Sequence, residues 1–362
     1  MRFRQLRELK FRPFTKRPRG HRPGRPAGSV TAVITTSGPA PAGIRVRRFA
    51  TIACWLAVAP LAAWAVLRLA GLERGPLVQA VAFTPYVAAC APATMALALA
   101  LRRRAPAVVA ALAALALVGA VAPRAVRDDR PTVHGPVLRL LTANLLKGGA
   151  DPARLVELVR THRVDVLTVQ EFTPQAAAEL DRLGLATLLP YRMLNPEVGT
   201  TGSGLYARHP LSGTGYRRNQ GFFFTQAYGT VAVPGAPPLR VESAHPAAPY
   251  AVEVVPDWWT DLRAQPPATP RGGLSVLAGD FNATLDHAPL RDLIDTGYVD
   301  AAAAAGAGLS GTWGPYDGDP IPPVTIDHVL VDRRIAVRAV DVYAVPGSDH
   351  RAVLAELRLP AG

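Results

Sequence analysis

Cysteine is nearly absent from this chain of 362 residues: it has two, Cys54 and Cys90, and both lie inside apolar runs. This scarcity excludes a disulfide framework for the C-terminal part, which contains no cysteine. It also excludes a zinc site built on four cysteines, and the apolar surroundings disfavour one built on two cysteines and two histidines. Cysteine usage leaves the redox compartment open.

Acidic residues are scarce in the N-terminal third. Residues 1–48 carry 13 Lys/Arg and one acid, Glu8, whereas residues 131–362 carry 19 Lys/Arg against 23 Asp/Glu, which leaves a formal charge of −4. The net charge of +13 therefore belongs to the N-terminal part. A basic chain often binds nucleic acid, but that argument does not apply to the C-terminal part.

The basic tail, residues 1–48, is rich in Arg, Pro and Gly. Such a segment buries too little apolar surface to offset the entropy lost on ordering, so we predict that it is disordered. Attraction to anionic lipid head groups is one possible role. The favoured interpretation is a solvated tail that only fixes membrane topology.

Three uncharged apolar runs follow the tail, at residues 49–67, 77–101 and 105–122. Because about 20 helical residues cross the hydrocarbon core, these runs predict three transmembrane helices within a membrane region of residues 49–123. A cleaved signal peptide followed by two buried helices is the alternative, and three runs in series disfavour it.

The distribution of arginine predicts the orientation of these helices. The basic tail and Arg102–Arg104 between the second and third runs should remain cytoplasmic. With three spans, the C-terminal domain of a multi-pass cell-membrane protein is then extracytoplasmic. Arg124, Arg127 and Arg130 after the third run weaken this prediction.

Residues 124–136 are predicted to be a polar linker, and residues 137–362 a domain in which strands alternate with helices. Asp151 and Pro152 are typical of an N-cap residue and a first helical residue. An α/β domain of two packed sheets with outer helices is expected. The predicted strands are 137–145, 164–169, 204–207, 225–233, 239–245, 274–279, 325–331, 336–345 and 352–357.

Polar residues collect at the ends of these predicted strands. The set comprises Asn144, Glu171, His245, Asp280, Asn282, Asp327, Asp349 and His350. Strand ends converge at one edge of a packed sheet, so these groups can meet in one cleft. Carboxylates, amides and imidazoles without a nucleophilic Ser or Cys suit a hard metal ion and an activated water.

Seven short motifs carry a family resemblance. In chain order they are TANLLKGG, VLTVQE, GSGLYARHPL, SAHP, LAGDFNATLD, TIDHVLV and GSDHRAVLAEL. Their order and spacing resemble the endonuclease/exonuclease/phosphatase family over residues 138–359. The resemblance implies a four-layer α/β (α+β) sandwich of two mixed β-sheets flanked by helices, with the active site between the sheet edges.

The resemblance also implies a metal site. Glu171 matches the principal metal ligand, Asn144 the amide that supports it, and Asp349 a residue at or beside the metal. Mg²⁺ is the expected cofactor, with Mn²⁺ possible, because such carboxylate sites leave room for waters and substrate oxygens.

Catalytic roles are implied for five further residues. His350 would be the general base, oriented by Asp327. Asp280 would orient the attacking water or help protonate the leaving oxygen, and Asn282 and His245 would hydrogen-bond the phosphoryl oxygens. The division of work between His350 and the acids remains open.

Other residues near these motifs receive structural interpretations. His328 should point away from Asp327 in a strand, and His209 and His287 are interpreted as loop residues. The SGTW segment, with Thr312 and Trp313, is expected to pack against or shape the cleft.

The expected reaction is in-line hydrolysis of a phosphodiester or phosphomonoester, and the substrate is left open between nucleic acid, phospholipid and small phosphate esters. The alternatives are a sphingomyelinase-like phosphodiesterase acting on lipid head groups and a catalytically silent binding module. The nearest basic and aromatic patch, residues 217–224, is interpreted as a loop entering a strand. The lipid bilayer is the expected partner of the N-terminal helices, and no obligate protein partner is inferred.

Overall fold

The computed structural model describes residues 42–128, 133–221, 223–314 and 321–362. The predicted disordered tail lies mostly outside these residues. Within them, strands and helices alternate from residue 137 onward. The strands are β1 (Val137–Asn144), β2 (Val166–Gln170), β3 (Tyr191–Asn195), β4 (Ser203–Ala207), β5 (Leu211–Arg218), β6 (Thr225–Val231), β7 (Leu239–Ala244), β8 (Leu274–Asp280), β9 (Tyr298–Asp300), β10 (Asp327–Asp332), β11 (Ala336–Ala344) and β12 (Arg351–Arg358).

These strands form two mixed six-stranded sheets. The first has the order β11-β12-β1-β2-β4-β3 and the second β5-β6-β7-β8-β10-β9. Each sheet has one parallel pair near its centre, β1 with β2 and β7 with β8, and its other neighbouring strands are antiparallel. Leu140 and Val166 of the first sheet and Val241 and Val276 of the second share one buried cluster, so the sheets pack face to face.

Helices cover the outer faces and complete the four-layer sandwich that the sequence predicts. Leu155 and Leu180 pack against the first sheet, and Trp258 and Leu290 against the second. Asp151 caps its helix by accepting a hydrogen bond from the backbone N–H of Ala153 (2.9 Å), as predicted. The helices of this domain are α5 (Pro152–Thr161), α6 (Pro174–Arg182), α7 (Leu185–Leu188), α8 (Val255–Arg263), α9 (Ala288–Asp295) and α10 (Ala301–Ala304).

Four helices precede the sandwich. They are α1 (Ala42–Ala70), α2 (Pro76–Val81), α3 (Thr84–Ala100) and α4 (Arg104–Val121), which continues as a 3₁₀ turn (Ala122–Ala125). Helix α1 thus begins inside the segment predicted to be a disordered tail. Leu61, Ala88 and Leu117 share one buried cluster, so α1, α3 and α4 pack together.

Of the three helices predicted to be transmembrane, two reach spanning length, and the third, Thr84–Ala100, is apolar but shorter. Among the described residues, two helices are long and apolar enough to cross a membrane, Val46–Ala70 and Arg104–Ala125. The predicted run 77–101 is broken, because the chain turns at Ala82 and Phe83 and Pro85 then lies in the first turn of α3. Proline lacks an N–H and is favoured at a helix start. Val78 and Val81 of α2 are buried, and Val78 joins the apolar cluster of the sandwich.

The apolar helices are clamped to the sandwich by a buried ion-pair cluster. Asp286 accepts hydrogen bonds from Nε of Arg68 (2.9 Å) and from Nη1 and Nη2 of Arg124 (2.8 and 2.6 Å). Glu73 accepts a hydrogen bond from the backbone N–H of Ala288 at the start of α9 (2.6 Å). Asp286 is fully buried and both arginines are nearly so.

The predicted linker 124–136 is packed in its first part. The N–H of Gly308 donates to the carbonyl of Arg124 (3.0 Å), and the N–H of Asp128 donates to the carbonyl of Ala304 (2.9 Å). The linker prediction was wrong for this part, because the partners of Arg124 and Asp128 lie more than 150 positions away in the sequence.

Candidate active site

The ends of the central strands bring the predicted site residues to one edge of the sandwich. Asn144 ends β1, and Glu171 directly follows β2, its parallel neighbour. Asp280 ends β8 and stands opposite Asp327, the first residue of antiparallel β10. His350 immediately precedes β12.

Glu171 is held in a strained backbone conformation with a φ of +53°. Its Oε2 accepts a hydrogen bond from the backbone N–H of Lys147 (2.8 Å), and its Oε1 accepts one from Nδ2 of Asn144 (3.4 Å). Burial raises the pKa of Glu171 despite these hydrogen bonds. Left-handed backbone at a non-glycine residue is concentrated at functional sites.

Asn144 joins the two sheets at the site. Its Nδ2 also donates to Oδ2 of Asp280 (3.0 Å), while its Oδ1 accepts the backbone N–H of Leu146 (3.0 Å). The amide nitrogen therefore faces both carboxylates. In this orientation Asn144 holds Glu171 and Asp280 in place and does not present an oxygen to the cleft.

Asp280 is buried among other titratable groups. Burial is the main cause that raises the pKa of Asp280 to about 7, with the charges of His350 and Asp327 acting in opposite directions. Nε2 of His350 lies 3.6 Å from Oδ2 of Asp280. The direction of this shift moves the titration of Asp280 toward neutral pH.

His350 pairs with Asp327 as predicted. Nδ1 of His350 lies 2.9 Å from Oδ2 of Asp327. Burial alone would lower the pKa of His350, but the negative charges of Asp327 and Asp280 outweigh it and raise the pKa to about 10. The imidazole is thus protonated at neutral pH, with Nδ1–H donating to Asp327.

The pKa of His245 is shifted in the opposite direction to that of His350. Its ring stacks on Phe224 with centroids 4.3 Å apart, and its Nε2 lies 3.9 Å from Oδ2 of Asp280. Burial, followed by the charge of His350, lowers the pKa of His245 to about 3, so this ring is neutral. The two imidazoles of the site therefore differ in charge.

Asn282 reaches the site through a turn that directly follows β8. It has a left-handed φ of +49°, and its N–H donates to Oδ1 of Asp280 (2.8 Å), so the pair forms a tight turn instead of an extended strand. Its Nδ2 donates to the carbonyl of Pro246 (3.1 Å).

Asp349 carries an unsatisfied oxygen. Its Oδ2 accepts a hydrogen bond from Nε1 of Trp313 (3.0 Å), whereas its buried Oδ1 has no hydrogen-bond partner among the described residues. The neighbouring Thr312 accepts the backbone N–H groups of Ile326 and Asp327 at its hydroxyl oxygen (3.0 Å each). The SGTW segment thus orients the carboxylate of Asp349 and holds the backbone at Asp327.

One cavity of about 750 Å³ gathers these groups. Asn144 and Asp327 lie behind its surface and position the carboxylate and imidazole in front of them. Six of the eight predicted site residues line the cavity: Glu171, His245, Asp280, Asn282, Asp349 and His350.

The family is decided by a sequence match over more than half of the chain. The sequence model of the endonuclease/exonuclease/phosphatase family matches residues 141–350. The chain belongs to the endonuclease/exonuclease/phosphatase family. No curated protein matches it by sequence.

Solved structures of this family share the fold of the sandwich. An endonuclease/exonuclease/phosphatase from Beutenbergia cavernae is similar with a TM-score of 0.51 and 21% identity, over 62% of this chain and 72% of that one. D. rerio TDP2 humanised by 14 mutations is similar with a TM-score of 0.51 and 14% identity, over 61% of this chain and 99% of that one. At these identities the likeness concerns the fold alone.

The residues at this family's site suit a divalent cation in two possible ways. Asp280, Asp327 and His350 offer ligand atoms within 4.8 Å of one another. However, Nδ1 of His350 is hydrogen-bonded to the carboxylate of Asp327. We therefore describe this set as an ion-pair network. Glu171 and Asp349 remain, and Oδ1 of Asp349, which accepts no hydrogen bond from the described residues, fits the oxygen ligands that a hard cation prefers.

Sequence reasoning missed one side chain of the cavity, His287. It lies in the loop before α9, as predicted, but it is buried: its Nδ1 accepts the N–H of Thr284 (2.8 Å), and its Nε2 lies 2.9 Å from the carbonyl of Val78. Burial lowers the pKa of His287, so the neutral ring donates from Nε2. No local signal could reveal this role, because Val78 lies 209 positions earlier.

The other histidine predictions fare differently. His328 points away from the cavity, as expected, and lies between Asp300 (2.8 Å) and the carbonyl of Ala283 (2.9 Å).

The positive charges of the basic and aromatic patch at residues 217–224 are neutralised, since Arg217 pairs with Glu242 and Arg218 with Glu197.

Proposed function

We propose that this protein is a membrane-anchored phosphoesterase that hydrolyses a phosphodiester or phosphomonoester with Mg²⁺, or Mn²⁺, as cofactor. The observation that carries the proposal is the convergence of Glu171, Asp280 and Asp349 with His350 on one cavity. The chain belongs to a family with nuclease and phosphatase members. An intact set of acidic and imidazole groups argues against a catalytically silent binding module.

Glu171 and Asp349 are the residues that would hold the metal. When bound there, the cation supplies charge compensation for the phosphoryl group. Asn144 keeps Glu171 in place through its amide. This assignment gives the strained backbone at Glu171 a function, because the strain aims its carboxylate into the cavity.

Asp280 is the proposed proton acceptor for the attacking water. A pKa of about 7 suits a general base at neutral pH. His350, with a pKa raised to about 10, is a poor base but a strong hydrogen-bond donor. We therefore assign His350 to stabilising a phosphoryl oxygen, which replaces the role of general base expected from its unperturbed pKa.

His245 and Asn282 complete the polar surface of the cavity. The neutral imidazole of His245 and the amide of Asn282 can donate hydrogen bonds to phosphoryl oxygens without adding charge. Their donors act together with the His350 imidazolium. The result is a site with one proton acceptor and several fixed donors.

Membrane anchoring by the apolar helices is part of the proposal. Among the 26 exposed large hydrophobic residues of the described segments, 18 lie between residues 46 and 126. In the most apolar 18-residue stretches of the two long helices, only 22% and 39% are buried. The core helix of a soluble domain, in contrast, is mostly buried. A bilayer would cover this surface.

Charge supports the proposed orientation in that bilayer. The C-terminal ends of α1 and α4 both meet Asp286 through Arg68 and Arg124, so both helices run toward the sandwich. Arg102 and Arg103 lie between α3 and α4, at the end remote from Arg124. By the positive-inside rule, these arginines are cytoplasmic and the catalytic domain is extracytoplasmic.

The test of the proposed activity uses the full chain in detergent micelles with bis-p-nitrophenyl phosphate as substrate. We expect hydrolysis with Mg²⁺, loss of hydrolysis with EDTA, and recovery when Mg²⁺ is added back. Glu171→Gln should lower kcat/KM by about 100-fold or more, since loss of a metal-site group costs on the order of 3 kcal/mol. Glu179→Gln, at a half-exposed glutamate on α6, is the matched control and should retain activity. Hydrolysis that persists in EDTA would contradict the proposal.

A further inference from the structure

The apolar N-terminal region builds one wall of the active-site cavity. Val78 and Gln79 of α2 line the same cavity as Glu171 and His350, and so do Ala82 and Phe83 of the turn before α3. The wall therefore comes from a segment outside the family match, which begins at residue 141.

This wall is fastened to the sandwich at several points. Gln79 donates through Nε2 to the carbonyl of Pro249 (2.6 Å), and His287 bonds the carbonyl of Val78. Tyr86 donates through its hydroxyl to the carbonyl of Pro323 (2.6 Å). Together with the buried clamp at Asp286, these bonds fix the wall relative to the catalytic groups.

The cavity is lined by both polar and apolar residues. Carboxylates and imidazoles lie at the ends of the strands, whereas Phe83, Ile321 and Val324 contribute apolar surface to the same cavity. A volume of about 750 Å³ is much larger than a phosphoryl group needs and lies in the range of pockets for drug-sized ligands. Its chemistry fits a molecule with a phosphoester at one end and hydrocarbon at the other.

Part of the apolar lining belongs to the turn that leads into the apolar helix α3. Ala82 and Phe83 line the cavity, and the next residues begin α3, an apolar helix that packs with α1 and α4. A lipid could therefore place its head group at the catalytic residues while its chain stays against the helices. A soluble ester would leave the apolar wall without a partner.

We propose that the substrate is a phospholipid of the surrounding membrane, with its phosphoester at the strand ends and its acyl chain against the wall formed by Ala82 and Phe83. This inference rests on the proposed function, because it names the substrate class of the same site. Phe83 is assigned a role in binding the lipid chain, and it does not act on the phosphorus.

The experiment measures competition against bis-p-nitrophenyl phosphate by the full chain in micelles with Mg²⁺. The competitors are dioleoyl phosphatidylglycerol, phosphatidylethanolamine, phosphatidylcholine and phosphatidic acid, each paired with its deacylated head-group ester. We expect at least one phospholipid to inhibit at a concentration at least tenfold lower than its deacylated partner does. Phe83→Ala should reduce that ratio by about tenfold, because it removes most of the apolar side chain that would contact the acyl chain.

Two variants control for partition into the micelle and for folding. Phe49→Ala removes an exposed phenylalanine of α1 and should leave the ratio unchanged. Phe83→Leu, which keeps an apolar side chain, should retain most of the wild-type ratio. Equal inhibition by every lipid and its deacylated partner would overturn the inference, and so would equal effects of Phe83→Ala and Phe49→Ala. Absence of bis-p-nitrophenyl phosphate hydrolysis in the wild type would instead defeat the proposed function itself.

Discussion

At the scale of single residues, position in the cavity decides what each titratable group can do. Asp280 and Asp327 stand opposite each other on paired strands, yet Asp327 is bonded to His350 while Asp280 faces the cavity. His245 and His350 both lie near Asp280, but one ring is neutral and the other charged. Residue type alone would have given each pair the same role.

The charge of His350 can be tested through Asp327. Asp327→Asn removes a negative charge that raises the pKa of His350, so the pKa of His350 should fall. If the imidazolium is the active form, kcat/KM declines as pH rises through this pKa, and in the variant the decline should begin at lower pH. The pH profiles of kcat/KM for the two proteins measure the shift.

Asp341→Asn, at an exposed aspartate of β11, controls for loss of charge alone and should keep the wild-type profile. An unchanged alkaline limb in Asp327→Asn would contradict the assigned role of His350.

At the scale of elements, the sequence predicted the central strands and the edge strand β11, and it missed the other three edge strands. The strands that were missed, β3, β5 and β9, each form an edge of a sheet. β5 is mostly exposed and contains Gly213 and Gly215, so it lacks the alternation of buried apolar residues that marks a half-buried strand. Ala301–Ala304 forms the short helix α10, and three of its four alanines are buried.

The candidate site was more predictable than the edges. Its residues follow the buried central strands, which are the most strongly apolar segments, and a family resemblance assigned their roles. The contributions of Val78 and His287 could not be predicted, because they depend on how the apolar helices dock on the sandwich. Such a contact joins distant parts of the chain and leaves no periodic pattern.

The clamp between the helices and the sandwich predicts a stability effect. Asp286→Asn leaves Arg68 and Arg124 buried without a counter-charge, which should lower the free energy of unfolding by about 3–5 kcal/mol. Denaturant unfolding of the full chain in detergent measures this change. Asp292→Asn, on the exposed face of α9, should change it by less than about 0.5 kcal/mol. Equal stability of the two variants would show that the clamp contributes nothing.

At the scale of the whole molecule, two surfaces of different chemistry share one chain. The sandwich segment has a formal charge of −4, with 19 Lys/Arg against 23 Asp/Glu in residues 131–362, and nine of the arginines among its described residues pair with acids. The apolar helices carry most of the exposed large hydrophobic side chains. An acidic catalytic part is poorly suited to nucleic acid, whose binding depends on neutralising phosphates with Lys and Arg.

The proposed orientation gives a prediction about accessibility. In intact bacterial spheroplasts that express the full chain, trypsin added outside should abolish the hydrolysis of bis-p-nitrophenyl phosphate. A cytoplasmic marker enzyme should survive the same treatment. Activity lost only after lysis would place the catalytic domain on the other side of the membrane.

The buried contacts of Asp286 with Arg68 and Arg124 have a kinetic consequence on the proposed anchoring. A catalytic centre joined stiffly to its own anchor keeps a constant height above the lipid plane, so encounter with a lipid is lateral diffusion in two dimensions. The turnover rate would then follow the mole fraction of that lipid within the membrane, and diluting the vesicles with buffer would leave the rate per enzyme unchanged.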